Sequence, residues 1–352
     1  MARILFTVCG VGLGHATRSS QLIEGLIKEH KVFVVSSGEA HDYLQKKFHY
    51  NEKINWFNLV YRNGRLKRFR TFAYNVPKVP YIAASNMVKL IKLVRKFKPD
   101  LIVSDFDVNG VYIGKLFRLP VVTLSVMHSM NYIKFPMNFN QKITFHILDK
   151  PIINAFIESD YFLITSFIHP SSCNKNDFFF NPIVRNYFFK NNPKKKDYYV
   201  VYFMEEELTA LLPLLNRFPE KKFIIYGTEK EINSGNLVFK GMSEKEFEKD
   251  LLECSAVLTH GGQSTLAESV FLKKPLYVCS SKAFSERYYN GSMIQKLGFG
   301  SVQETHSISS LEEFFEKEES YRQKLMESEI NPGNKCILQK INEIIELEAN
   351  GQ

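Results

Sequence analysis

Residues 257–269 read VLTHGGQSTLAES, and their order decides the fold. Val257 to Thr259 close a short apolar run of the kind that forms a buried strand. Gly261 and Gly262 then turn the chain without side chains, so a ligand can approach the backbone. Ser264 and Thr265 open a helix whose free N–H groups and positive dipole end face the turn. Strand, glycine turn and helix start together make an anion site, most naturally for a diphosphate. Glu268 follows one helical turn later, where its carboxylate can accept hydrogen bonds from both hydroxyls of a ribose. A plain N-capped helix after a tight turn has the same local signature. The surrounding pattern has to decide between the two.

Working outward, "FKGMS" (239–243) is a strand exit whose backbone can face a base edge, and "SERYYNG" (285–291) opens a helix after the strand "PLYVCS" (275–280). All three stretches fall at the carboxyl ends of expected parallel strands, where open α/β sheets bind ligands. Apolar runs alternate with helical stretches along most of the chain. "RILFTV" (3–8), "KVFVVS" (31–36), "KINWFNL" (53–59), "DLIVSD" (100–105), "PVVTLS" (120–125) and "YFLITS" (161–166) read as strands of a first sheet. "YYVVYF" (198–203), "KFIIYG" (222–227), "NLVFKG" (236–241), "AVLTHGG" (256–262) and "PLYVCS" read as a second. Continuous Val/Ile/Leu runs separated by helices imply parallel strands covered on both faces. Residues 169–197 break the pattern with Pro, Asn and Lys and read as the inter-domain hinge, and the last third of the chain reads as helical. The expectation is an α/β protein of two Rossmann-like doubly wound domains, 1–183 and 184–333, facing a cleft, with a terminal helix at 334–352.

The ordered set strand, Gly-Gly-x-Ser-Thr, x-x-Glu, then Lys-Pro-strand and Glu-x-x-x-Asn resembles UDP-sugar glycosyltransferases of the GT-B fold. It is most similar to MurG-type and UDP-glucosyltransferase-like enzymes. Gly12, Gly14 and His15 match that family's N-terminal glycine loop, and "NPIVR" (181–185) resembles its hinge motif. The resemblance spans nearly the whole chain. It implies that Gly241 and Met242 present backbone to uracil, that Ser264 and Thr265 hold the diphosphate, and that Glu268 holds the ribose. Glu286, Arg287 and Asn290 would line the donor-sugar side, with His260, Gly261, Gly262 and Gln263 at the turn and Arg185 at the hinge motif. The first domain would bind the acceptor, the second the donor, and the terminal helix would cross back to the first. Two departures stand out. "VVYFMEEEL" (200–208) places Phe203, Met204 and Glu205 where relatives carry a small phosphate-cradling loop, and Arg287 stands where glutamine is common. Arg287 reads either as a surface residue or as a recogniser of an anionic donor sugar.

The first glycine stretch, "VCGVGLGHATR" (8–18), fails as a dinucleotide fingerprint because His15 stands where the third glycine should. With the nucleotide in the second half, its glycines let the donor's sugar and the acceptor approach the backbone. His15 is then the expected general base, since imidazole titrates near neutrality. The resemblance implies an inverting transfer. A base histidine needs an orienting partner. "DLIVSDFDVNG" offers Asp105 first and Asp107 second. Asp-x-Asp also marks a metal–diphosphate site in a different transferase fold, but here it lies in the half without the nucleotide, so no metal or other cofactor is expected beyond the UDP-sugar co-substrate.

Composition sets the outer limits. The chain of 352 residues is 45% hydrophobic and 24% charged, enough for two cores. Five scattered cysteines without a CxxC fit a reduced, cytoplasmic protein rather than a disulfide framework. No apolar run reaches the roughly 20 residues of a membrane helix. The formal charge of +9 is concentrated: from Lys53 to Pro99 there is no Asp or Glu, while Arg62, Arg65, Lys67, Arg68, Arg70, Lys89, Lys92 and others interleave with aromatic residues. With "MHSMNYIKFPMNF" (127–139), this reads as a surface for anionic membrane and for a lipid or lipid-linked acceptor, peripheral on the inner face of the membrane. No nucleic-acid motif is present. Two other functions fit parts of the pattern: a UDP-sugar 2-epimerase, and a catalytically degenerate sugar-nucleotide-binding protein.

Overall fold

The computed structural model describes residues 1–56, 61–62, 65–66, 70, 74–192, 196–228, 233–241, 243–280 and 285–350. The chain forms two compact units. One comprises Met1–Ile133, His146–Ile183 and Gly333–Gln352, the other Lys134–Phe145 and Val184–Pro332.

The first unit is built on a seven-stranded parallel sheet in the order β3-β2-β1-β6-β7-β8-β9. Its strands are β1 (Arg3–Val8), β2 (Lys31–Ser36), β3 (Asn51–Lys53), β6 (Leu101–Asp105), β7 (Val121–Ser125), β8 (Tyr161–Thr165) and β9 (Asp177–Phe180). A separate antiparallel pair, β4 (Tyr61–Arg62) and β5 (Arg65–Leu66), follows β3 in the chain. Strand residues point alternately to opposite faces, and both faces of this sheet are apolar. Ile4, Phe6 and Val8 of β1 enter a core completed by Leu22, Ile23 and Leu26 of helix α1 (Leu13–Leu26). The C-terminal helix Asn334–Asn350 adds Ile337, Ile341 and Ile344 to the same core, a stripe at helical spacing. Leu5 of β1 faces the other way, toward Leu90 and Val94 of the helix Val79–Phe97 and Val111 and Ile113 of the helix Val108–Phe117. This double covering is why the strands read as unbroken apolar runs.

The second unit repeats the architecture, with the strand order β12-β13-β11-β10-β14-β15-β16. Its strands are β10 (Tyr199–Tyr202), β11 (Phe223–Tyr226), β12 (Asn233–Ser234), β13 (Leu237–Phe239), β14 (Ala256–Thr259), β15 (Leu276–Cys279) and β16 (Gly300–Gln303). All pair in parallel except the edge strand β12.

Three sequence expectations change. The segment taken as hinge contains β9, a real edge strand. Its Phe178–Phe180 run is hidden in the sequence by flanking Asn and Pro, and only pairing with β8 makes it a strand. The expected strand 53–59 is formed at 51–53 instead, and 57–60 lie outside the described residues. The last third is not all helical, because β16 lies within it. Val302 is the one β-favouring residue of β16, and Gly300 is required because a Cβ there would sit 1.8 Å from the Leu276 carbonyl oxygen. Close backbone approach to β15, not side-chain propensity, makes this strand.

Candidate functional site

Strand order places a crevice in each unit. In the first sheet, β1 is followed in the chain by β2 on one side and lies beside β6 on the other, so the connections diverge at the carboxyl ends of β1 and β6. Val8 and Asp105, the last residues of these strands, are register partners. Beyond Val8 the chain turns through Cys9–Gly12 into α1. Gly10 serves packing, since a Cβ there would meet Ser37 at 2.5 Å. Gly12 differs. It has φ 67°, it is the helix N-cap without a side-chain cap, and a Cβ there would meet nothing within 4 Å. Gly14 is exposed in the first turn.

The first turns of α1 bring His15, Arg18 and Ser19 to the buried carboxylate of Asp105. His15 Nδ1 lies 2.9 Å from Asp105 Oδ1. Arg18 donates from Nε to Oδ2 at 2.9 Å and from Nη2 to Oδ1, and Ser19 Oγ donates to Oδ2 at 2.6 Å. Burial alone would push this carboxyl up, but the charge of Arg18 and the contact with His15 outweigh it and hold Asp105 well below the usual carboxylate range. Phe106 follows at φ 52°, an uncommon backbone for a bulky residue, and its ring stacks on His15 with centroids 6.1 Å apart. Asp107 points elsewhere. Its Oδ1 caps the helix Val108–Phe117 by accepting from Asn109 N at 3.3 Å and Nδ2 at 2.8 Å, and burial raises its pKa. Of the two aspartates, Asp105 is therefore the one in contact with His15. Arg18 and Ser19 escaped the sequence reading. The available signal was spacing, because Arg18 lies three residues from His15 on the same helix.

In the second sheet the order diverges between β10 and β14. The stretch that opens this protein's pattern sits there. Gly261 has φ 93°, and a Cβ would meet the Arg287 carbonyl oxygen at 2.8 Å. The helix Gln263–Phe271 has Gly262 as N-cap and no side-chain cap. Ser264 lies half-buried and Thr265 buried in its first turn. Around this helix start, Thr259 Oγ1, His260 Nδ1 and Ser280 Oγ are buried without a hydrogen-bond partner among the described residues. Buried polar atoms are seldom left unpaired in a native protein, so three together point to a ligand. His260 is pushed down to about 3, first by burial and then by Arg287, so the ring is neutral.

The remaining residues of the expected donor set divide. Glu268 is buried and receives a two-pronged ion pair from Arg185, with Nε at 2.6 Å from Oε1 and Nη2 at 2.7 Å from Oε2. Glu248 lies 3.3 Å from the same guanidinium. Asn290 donates its amide to the Gly261 carbonyl at 3.2 Å and so braces the glycine turn. Glu286 and Arg287 stand half-buried in the first turn of the helix Ser285–Leu297. Arg287 approaches Glu207 at 3.8 Å and Met204 Sδ at 3.5 Å. Glu205–Glu207 form the first turn of the helix Glu205–Leu215, where negative charge meets the positive dipole end. Glu207 Oε2 also accepts from the Met204 N–H at 3.2 Å. Lys240 and Tyr226 both reach Asp250, at 2.5 and 2.6 Å, and fix the strand exit before Gly241. Met242 lies outside the described residues.

Comparison with known proteins agrees with this architecture. The chain is 21% identical over 323 residues to an uncharacterized glycosyltransferase of Methanosarcina acetivorans, covering 85% of this chain and 84% of the relative. A similar protein of Methanosarcina mazei is 20% identical over the same shares. Among solved structures, the glycosyltransferase VinC in complex with dTDP superposes with a TM-score of 0.67 at 13% identity, over 99% of this chain and 100% of VinC. UGT2 of Phytolacca americana, complexed with UDP-2-fluoroglucose and pterostilbene, gives 0.65 at 12% identity, over 98% and 100%. These likenesses establish the two-domain GT-B fold. The sequence profile of glycosyl transferase family 1 matches residues 2–317, nine-tenths of the protein, and the chain belongs to that family.

Proposed function

We propose that this glycosyltransferase moves a hexose from a UDP-sugar to an acceptor hydroxyl with inversion, His15 acting as general base and Asp105 orienting it. The observation that carries the reading is the 2.9 Å contact between His15 and a buried, ionised Asp105 at the switch point of the first sheet. With Nδ1–H donating to Asp105, the lone pair of Nε2 is left to take a proton. The acceptor oxygen bonds to the anomeric carbon as its proton passes to Nε2. The bond from that carbon to the diphosphate oxygen breaks, and its electron pair leaves with UDP. The start of the helix Gln263–Phe271, with Ser264, Thr265 and neutral His260, stabilises the charge growing on the diphosphate. This reading needs no metal, since the helix start serves as the diphosphate's positive partner. Glu268 takes the ribose hydroxyls with the lone pairs that Arg185 leaves, out of the roughly four a carboxylate carries. Solved neighbours hold UDP-2-fluoroglucose in one case and dTDP in another, which supports a nucleoside diphosphate here. Recognition of both ribose hydroxyls favours UDP.

His15→Ala is expected to lower transfer roughly 10²–10⁴-fold, the usual contribution of a positioned base. Thermal unfolding should still show stabilisation by UDP, about 2.7 kcal/mol at 100 times the dissociation constant. Unchanged turnover would remove His15 from the chemistry. Stabilisation by NAD but not UDP would remove the donor assignment, and sugar turnover without any acceptor would indicate an epimerase.

We further infer a lipid or lipid-linked acceptor met at an anionic membrane surface. The helix Val79–Phe97 turns Leu90 and Val94 inward and leaves Lys89, Lys92 and Lys96 exposed at helical spacing. Tyr81 and Val88, 74% and 53% exposed, accompany them. Much of the basic stretch before this helix, including Lys67, Arg68, Phe69 and Phe72, lies outside the described residues. Among the described residues no helix is long and apolar enough to cross a membrane. Each cation near such a surface contributes about 1 kcal/mol. Cosedimentation with phosphatidylserine vesicles should be strong at low salt and weaken as salt rises. An equal yield with neutral vesicles, or none with either, would count against this surface.

A further inference from the structure

The contacts around Asp105 are richer than orienting a histidine requires. Three residues of one helix converge on a single buried carboxylate, and one of them carries a permanent charge. Arg18 is 6% exposed, and it touches both oxygens of Asp105 and, through Nη2, His15 Nδ1 at 3.0 Å. A guanidinium only donates and does not lose its proton at any relevant pH. His15 Nδ1 lies beside both Asp105 Oδ1, which only accepts, and Arg18 Nη2, which only donates; with Nδ1–H given to Asp105, the approach of Arg18 to the ring acts through charge and not through a hydrogen bond.

Charge decides what this arrangement does. A histidine beside a lone buried carboxylate forms a pair with net charge −1 when unprotonated, and burial drives such a pair to take up a proton. Here Arg18 cancels that charge before any proton binds. Two other titratable groups are described at this centre. The Cys9 thiol is pushed up to about 12 by burial and stays neutral. Asp107 is raised by burial and turned to its own helix cap. Phe106, stacked on the imidazole, carries no charge.

We propose that Arg18 is a positioning residue of the His15 centre: it locks the Asp105 carboxylate in place with Ser19 and sets a fixed positive charge against that carboxylate beside the imidazole. Under the reading of His15 as a base, on which the value of this device rests, Arg18 holds Asp105 where it orients the imidazole and offsets the carboxylate's negative charge.

The test is titration of His15 by NMR in the ligand-free, full-length protein with labelled histidine, the resonance being assigned from His15→Gln. In Arg18→Gln the pair loses its compensating charge, and its apparent pKa should rise by about one to three pH units. Arg18→Lys retains the charge and should titrate close to wild type. In Asp105→Asn the guanidinium faces His15 uncompensated, and the pKa should fall below wild type. Loss of the carboxylate lowers the value by itself, so the double variant Arg18→Gln with Asp105→Asn, which removes both charges and should titrate above Asp105→Asn, decides the matter if Arg18→Gln does not fold. An unchanged titration in the folded Arg18→Gln or Asp105→Asn protein would overturn the proposal, as would an Arg18→Lys profile displaced as far as that of Arg18→Gln. None of these outcomes depends on transfer. If His15→Ala still transfers sugar, the base assignment falls while the titrations still decide the role of Arg18.

Discussion

Replacing Asp105 by alanine is expected to destabilise the first unit by about 3–5 kcal/mol, the usual cost of removing one partner from a buried ion pair. The carboxylate is fully buried and accepts hydrogen bonds from Arg18, Ser19 and His15. Without it the buried Arg18 guanidinium loses the carboxylate that accepts from both its Nε and its Nη2, which costs more than the lost bonds themselves. Asp105→Asn keeps the shape but not the charge. The comparison of the two by chemical denaturation separates packing from charge. The pH dependence follows from the depressed pKa of Asp105. Its stabilisation is complete above the unfolded-state value of about 3.9 and is lost as pH falls through the lower folded-state value. Wild type should therefore lose stability below about pH 4 more steeply than Asp105→Asn. Parallel acid limbs in the two proteins would show that Asp105 is not the ionised group described here. Transfer by Asp105→Asn should also fall, because the amide no longer fixes the tautomer that leaves Nε2 unprotonated.

The second large effect belongs to Glu268. Glu268→Ala leaves Arg185 buried, with Glu248 at 3.3 Å and the charge of Glu244 as acidic groups that remain near it. A loss of about 3–5 kcal/mol is expected here too. The paired variant Arg185→Met with Glu268→Leu removes both charges and should recover much of the stability, since apolar replacement of a whole buried pair is often neutral or favourable. It should not recover stabilisation by UDP. A folded double variant that still responds fully to UDP would show that Glu268 holds Arg185 and not the ribose. A single variant with wild-type stability would show that the pair contributes little to the fold.

The two sites were legible in the sequence to different depths. The glycine turn at 261–262 and the helix start at Ser264 depend on a few consecutive residues, so the turn and the helix can be read locally, while the choice between an anion site and a plain capped helix needs the ordered stretches around them. The same holds for Gly12 and His15 at the first turn. The role of Glu205–Glu207 was not legible. As a string, three acids near a diphosphate loop look adverse, but in the fold they occupy a helix first turn with Arg287 beside Glu207. Likewise Asn290, which the family pattern implies for the donor-sugar side, gives its amide to the Gly261 carbonyl.

What the sequence by itself determined is the alternation of apolar runs and amphipathic helices, hence two parallel sheets covered on both faces. These depend on local periodicity and on burial, which each segment carries in its own residues. Only the tertiary structure decided which distant residues meet. His15 and Arg18 are 90 and 87 positions from Asp105, and Arg185 is 83 from Glu268. No local pattern encodes those pairings. They arise because β1 lies beside β6, so that the carboxylate ending one strand is buried under the helix that follows the other. A charge placed there must find its counter-charge or remain uncompensated in a low-dielectric interior, and it is the strand order that brings the counter-charge within reach.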